Sequence, residues 1–186
     1  MSRWRPGARE RLEEAAIELF VEQGFAATTV PQITARAGLT TRTFFRHFAD
    51  KREVLFGGDE IPGMATRMIE QAPAGDDPMT VILDGLRAVT AARFEGRRDE
   101  LRVRREIVRS DPGLRERDLR KRDSLRLAIS AGFQARGIDP LRAALLAETA
   151  VMLLFVSFDE WLDQPGDRTL ITIIEDALTA LRQAIA

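Results

Sequence analysis

Within eight residues, Thr40 to His47, the chain gathers the hydroxyls of Thr40, Thr41 and Thr43, the guanidinium groups of Arg42 and Arg46, the imidazole of His47 and the ring of Phe45. On a helix, Phe44 and Phe48 lie four apart and take one inward face. Thr41, Arg42, Phe45 and Arg46 then point outward, with Thr43 and His47 on an adjoining face. Solvent alone does not call for that mixture. A duplex groove does: Arg forks onto guanine O6 and N7, a hydroxyl reaches a base edge or phosphate, an aromatic ring packs on a thymine methyl, and His meets phosphate. Catalysis is poorly served. His47 is the sole histidine and cysteine is absent, so no nucleophile–base pair, no Glu-x-x-His pair of a di-iron helical enzyme and no thiolate site is evident. The expectation is a non-enzyme with no metal and no cofactor.

Two short helical patterns joined by a tight turn must position these groups, over residues 24–50. The first starts at Thr29, whose hydroxyl can cap the next turn, and carries Val30, Ile33 and Ala37 as one buried stripe. Pro31 falls in its first turn, where a missing N–H is no loss, and Gly38 ends it where a left-handed conformation is needed. Thr40 is the N-cap of the second, with Leu39 able to close over Phe44 as a staple. Asp50 and Glu53 read as a capping box opening the next helix, which puts Lys51 at a helix N-terminus where charge and free N–H groups both face phosphate. The expected interface is therefore Thr29, Thr40, Thr41, Arg42, Thr43, Phe45, Arg46, His47 and Lys51. Net charge over the whole chain is −1, yet residues 28–51 hold a single anion, Asp50. Arg3 and Arg5 form a basic arm that could reach phosphate or be a plain tail.

The run Thr29-Val30-x-x-Ile33-x-x-x-Ala37-Gly38-Leu39-Thr40-x-x-Thr43-Phe44-Phe45-x-His47-Phe48-x-Asp50-Lys51 resembles the DNA-binding segment of TetR-type transcriptional repressors. The resemblance covers roughly the first third of the chain. It implies an all-α protein with an N-terminal three-helix helix-turn-helix module, residues 1–52, followed by a helical ligand-binding and dimerisation domain, residues 53–186. It also implies a homodimer that binds a palindromic double-stranded DNA operator as a repressor and is released by a small-molecule effector. In that family a Tyr usually stands where this chain has Phe45, and its hydroxyl contact to phosphate is lost here.

The remainder is compatible with that picture. At 186 residues, 45% apolar and 31% charged, the chain has the composition of a soluble globular protein. Met1 is not followed by the apolar core of an export signal, and the longest apolar run, residues 149–158, is about half of the ~20 residues of a membrane span. A cytoplasmic protein with no membrane partner is expected. Helical patterns are read over 6–23, from 50 onward, 78–95, 98–109, 112–136, 140–164 and 169–185. The segment from 50 is interrupted by Gly57-Gly58 and Pro62-Gly63, where a kink or break is expected, either a hinge or an ordinary irregular connection.

Residues 97–126 hold twelve cations and seven anions, which reads either as a solvated helix face or as a receiver for an anionic ligand. Leu101-Arg102-Val103-Arg104-Arg105-Glu106-Ile107-Val108 and the following Asp111-Pro112-Gly113-Leu114 are similar to a TetR subgroup that binds acyl-CoA-like ligands. That resemblance implies a small hydrophobic or acyl-CoA-like effector, and the candidate contacts are Phe94, Arg104, Phe133, Met152 and Phe155. The last two helices are apolar enough to meet a partner subunit, with Phe158, Trp161, Leu170, Ile174, Leu178 and Leu181 as the candidate interface. The competing reading is a helical adaptor or ligand-binding protein with a vestigial DNA-binding module.

Overall fold

A computed structural model describes residues 7–56 and 60–185; the arm at Arg3 and Arg5 and the Gly57-Gly58 break lie outside them. Among the described residues every regular element is a helix. The chain packs as two compact units, Met1–Gly58 with Val103–Asp118, and Asp59–Arg102 with Leu119–Ala186.

The first unit holds α1 (Ala8–Gln23), α2 (Val30–Ala37), α3 (Thr41–His47) and α4 (Glu53–Phe56), joined by the second half of α7 (Arg98–Ser110) and the start of α8 (Pro112–Ala135). Leu12, Ala16 and Phe20 recur along one stripe of α1 and pack with Ile33, Phe44, Phe48, Val54, Ile107 and Leu114 in a single core. Arginines close the ends of this unit. Arg11 donates to the Ala37 carbonyl at the end of α2, Arg104 Nη1 to the Val54 carbonyl at 2.8 Å, and Arg117 to the Glu53 carboxylate. Asp50 Oδ1 caps α4 through Arg52 N at 2.8 Å and Glu53 N at 3.1 Å.

The second unit contains α5 (Glu60–Gln71), α6 (Pro78–Arg93), α9 (Pro140–Asp163), α10 (Leu170–Ala184), the start of α7 and most of α8. The expected starts are realised by side chains: Asp77 accepts from Met79 N and Thr80 N, Asp139 from Arg142 N and Thr169 from Thr172 N. Pro62-Gly63 does not break a helix, contrary to expectation. It falls in the first turn of α5, where the missing N–H has no intrahelical acceptor. Carbonyls at the end of α9 and in the turn after it are met from α7: Arg98 donates to those of Trp161, Gln164 and Gly166, and Arg102 Nε to that of Leu162 at 3.0 Å. Cations there also oppose the negative end of the helix dipole.

By length and composition α9 could cross a membrane, yet its Ala143, Ala147, Ala150, Leu153, Leu154, Trp161 and Leu162 are buried in the second core. That core also absorbs most of the expected dimer contacts. Trp161, Leu170, Ile174 and Leu178 are buried within their own subunit, and Phe158 and Leu181 are half-buried. A fully enclosed side chain has no surface left to offer a partner, so the face that α9 turns outward is a different one: Leu141, Leu145, Met152 and Val156.

Gly38, the first of the three residues between α2 and α3, has φ 64° and ψ 37°. A side chain there is strained, and its Cβ would lie 3.0 Å from Arg11 Nη2. Gly38→Ala is expected to lower the unfolding free energy by about 1–2 kcal/mol. Urea denaturation checks it, and an unchanged midpoint would show that the turn carries no such constraint.

Candidate nucleic-acid interface

The geometry of α3 is set before it begins. Thr29 opens α2 with a full capping box: its hydroxyl accepts from Gln32 N at 3.4 Å, while Gln32 Oε1 accepts from Thr29 N at 2.8 Å. After Gly38, Leu39 N donates to the Thr34 carbonyl at 2.8 Å, and the chain turns into α3. Thr40 Oγ1 accepts from Thr43 N at 3.2 Å and shares a hydroxyl–hydroxyl bond with Thr43 at 3.0 Å. The hydroxyls of Thr29, Thr40 and Thr43 thus shape the turn. Any DNA contact by them uses valences the caps leave free.

Two rings fix the rotation of α3. Phe44 is 0% exposed and Phe48 2%, their centroids are 5.3 Å apart, and the Arg9 guanidinium lies over Phe48 at 5.1 Å. Phe45 is 58% exposed and held edge-on to Phe44 at 5.4 Å and 84°. With the inward face so defined, Thr41, Arg42, Phe45 and Arg46 are all exposed. Arg42 and Arg46 have no ion pair or hydrogen bond among the described residues, whereas Arg36 on α2 is held by Glu22 at 2.7 Å and Glu18 at 3.2 Å. The hydrogen bond from Arg36 keeps the Glu22 carboxyl below its ordinary value. The outward face of α3 therefore presents two uncommitted forks, a hydroxyl and an oriented ring.

Two expected contacts sit differently. His47 is half-buried, and its Nε2 is enclosed without a hydrogen-bond partner. Lys51 turns back on the loop between α1 and α2: its Nζ donates to the carbonyls of Phe25 and Thr28, each at 2.7 Å, and lies 4.3 Å from the Phe25 ring centre. Burial pushes this ammonium below the ordinary lysine value, with Asp111 opposing the shift and Arg52 reinforcing it. A phosphate at Lys51 must compete with those carbonyls. The buried Thr28 hydroxyl, bonded to the Gly24 carbonyl at 2.9 Å, holds the same loop.

The candidate ligand contacts are dispersed. A cavity of about 60 Å³ lies in the second unit, lined by α5, α6, α8 and α9 through residues that include Met64, Met68, Gly85, Leu125 and Leu154. None of Phe94, Arg104, Phe133, Met152 and Phe155 lines it. Arg104 belongs to the first unit, Phe133 is enclosed in the core, Met152 is exposed, Phe94 packs on Phe158 at 5.4 Å, and Phe155 lies under Arg122 at 3.9 Å. The i, i+4 rows of α5 and α6 that do line it, Met64 and Met68 with Ile82 and Leu86, show in the sequence as apolar stripes. Periodicity cannot say whether the facing stripes close on each other.

A short helix braced by two others, its outer face carrying unpaired arginines and an aromatic ring, is a helix-turn-helix module. Residues 12–56 match the family described as "Bacterial regulatory proteins, tetR family", and the chain carries the N-terminal domain of that family. The chain is 33% identical over 138 residues to the HTH-type transcriptional regulator TcmR of Streptomyces glaucescens, an alignment covering 70% of this chain and 61% of TcmR. It is 35% identical over 95 residues to the HTH-type transcriptional regulator YerO of Bacillus subtilis, covering 49% and 32%. It thus spans less than two thirds of either relative.

The fold likeness runs further. Thermus thermophilus FadR, a TetR-family repressor solved with lauroyl-CoA, is 23% identical with a TM-score of 0.55, covering 96% of this chain and 95% of that one. NalD, a secondary repressor of the MexAB-OprM efflux pump in Pseudomonas aeruginosa, is 21% identical with a TM-score of 0.59, covering 95% and 94%. At those identities the two structures show the shared fold, an N-terminal helix-turn-helix followed by a helical domain.

Two outcomes follow from this geometry. Lys51→Met should cost about 1–3 kcal/mol in urea unfolding, because a charged donor to two carbonyls is lost. It should leave the salt slope of DNA binding unchanged; a slope lower by about one would instead make Lys51 a phosphate contact. Replacing thymine by deoxyuridine along a bound operator should weaken the wild-type protein at one position per half-site and leave Phe45→Ala indifferent there. A scan with no Phe45-dependent position would remove the ring from base recognition.

Proposed function

We propose that this protein is a ligand-responsive transcriptional regulator, a repressor that binds a palindromic operator as a homodimer and is released by a small-molecule effector. The observation that carries the reading is the outward face of α3, where Arg42 and Arg46 stand unpaired beside Thr41 and Phe45 on a helix whose other face is locked into a core. Arg42 reads base edges, Arg46 and the free valences of the cap hydroxyls position the helix on phosphate, and residues 1–52 form the DNA-binding domain. Two copies place their α3 helices in successive major grooves about 34 Å apart. Residues 53–186 supply effector binding and self-association.

For self-association, the outward stripe of α9 supports the reading better than the enclosed side chains of α10. Leu145, Met152 and Val156 are exposed, recur at helical spacing and form one face. The effector is a small hydrophobic or acyl-CoA-like molecule, as the lauroyl-CoA complex of the structural relative from Thermus thermophilus suggests by analogy. The adaptor reading predicts no selective, salt-dependent binding to DNA.

Sequencing genomic fragments recovered with purified protein tests the reading, and the expected result is enrichment of a twofold-symmetric motif that effector-free protein binds with strong salt dependence. Recovery no different from random fragments at low ionic strength would reject it. On the recovered site, Arg42→Ala should cost about 1–3 kcal/mol and little on scrambled DNA, checked by filter binding. Val156→Glu, at an exposed position, should yield a folded monomer by sedimentation and lose roughly 100-fold in operator affinity.

A further inference from the structure

We propose that the cavity of the second unit is a receptor site for a small, neutral, wholly apolar molecule, and that Gly85 sets its size. The proposal rests on the effector-responsive reading above and narrows it, because it excludes ligands that need their charged end held inside. Every residue lining the cavity is apolar, from Met64 and Met68 on α5 through Ile82 and Gly85 on α6 to Leu125 on α8 and Leu154 on α9. No side chain in that lining can donate to a ligand, and its acceptors are the weak thioether sulfurs of Met64 and Met68. A carboxylate, phosphate or ammonium taken inside would lose its water and find nothing in exchange, whereas an apolar molecule exchanges water for dispersion contacts. Arg93 reaches Met64 Sδ from 4.0 Å but is not among the lining residues.

Size follows from two features. At about 60 Å³ the space is well below the roughly 300–1,000 Å³ of sites that enclose drug-sized molecules. It is also smaller than the roughly 150 Å³ apolar cavity that takes a benzene ring, so a single ring enters only if the space enlarges. Met64 and Met68 are the lining side chains that can re-rotamer at least cost, so enlargement occurs on their side. Gly85 lies opposite. A methyl group there would meet Met68 Cε at 3.9 Å, an ordinary contact, so the absent side chain leaves volume that Ala would occupy without displacing a neighbour. Gly in the interior of α6 disfavours the helix, and open space on its cavity side is what its presence provides.

The test compares toluene with two charged molecules built on the same ring, benzoate and benzylammonium, and with lauroyl-CoA, using full-length protein labelled with ¹³C at the methionine methyls. Toluene is expected to raise the melting temperature and to shift the resonances of Met64 and Met68 more than that of Met79, which does not line the cavity. Benzoate and benzylammonium are expected to bind roughly 100-fold more weakly or not at all. Gly85→Ala is expected to fold with a raised melting temperature and weakened toluene binding, and Gly85→Leu to abolish it.

Binding of benzoate or lauroyl-CoA in place of toluene, particularly if lost in Arg93→Met, would overturn the neutral class. Toluene binding that Gly85→Ala leaves intact, or no binding by any of the four, would overturn the assignment of the site. Toluene that binds as described but leaves the operator complex intact upholds the site and instead refutes the effector-release reading on which it builds.

Discussion

Everything that α3 can show to a partner depends on two phenylalanine rings being out of sight. A helix of seven residues is far below the roughly 12–15 at which isolated helices become even marginal in water, so α3 exists because it is packed. Burying Phe44 and Phe48 supplies about 1.5–3 kcal/mol each, and the Thr40 cap about 1 kcal/mol more. Since the rings lie four residues apart and are almost fully enclosed, α3 has one permitted rotation about its axis. The outward direction of Thr41, Arg42, Phe45 and Arg46 is thus a consequence of core packing. Arg36 makes the contrast plain: one helix earlier, an exposed guanidinium is tied to Glu18 and Glu22 and braces α2 on α1.

Where the chemistry was local, the sequence was informative. The caps at Thr29, Thr40, Asp77, Asp139 and Thr169 each join a side chain to an amide within three residues, so the residue types and their order suffice to read them. Lys51 could not be read that way, because its acceptors lie 23 and 26 residues upstream in a loop whose path only the folded core defines. The arginine-rich stretch illustrates the same limit. A solvated face and an anion receiver were the alternatives that composition offered. Arg98 and Arg102 instead cap carbonyls at the end of α9, more than fifty residues on, and Arg104 caps α4. Composition shows that the cations need partners, while only the fold shows that some of those partners are backbone.

The long apolar helix α9 separates two questions that periodicity merges. Its sequence is apolar nearly all the way round, which requires burial on more than one side but does not say which side belongs to the subunit. In the folded chain Trp161 settles it locally: its ring is enclosed and its Nε1 donates to the Arg168 carbonyl at 3.0 Å, fixing the end of α9 against the turn that leads to α10. The stripe of α10, Leu170, Ile174 and Leu178, then completes the same core. Leu141, Leu145, Met152 and Val156 are left over, and a leftover apolar face on a helix otherwise satisfied is a better guide to self-association than apolarity by itself.

An apolar hollow that opens partly to solvent is a standing cost, since water against its walls replaces the dispersion partners that packed side chains would supply. A molecule that fills it restores those contacts, but filling alone shifts no equilibrium: a ligand moves a protein between two states only by the difference in its affinity for them. A small cavity bordered by two methionines meets that condition in a simple way. Where Met64 and Met68 are folded in, the space admits little. Were they to swing aside, an apolar guest would gain contacts that this arrangement denies it, and it would favour the opened arrangement by that difference. Because the side chains of the walls offer no donor and only weak thioether acceptors, selectivity among guests has to come from size and shape, and the position with no side chain of its own, Gly85, is where that size is most directly set.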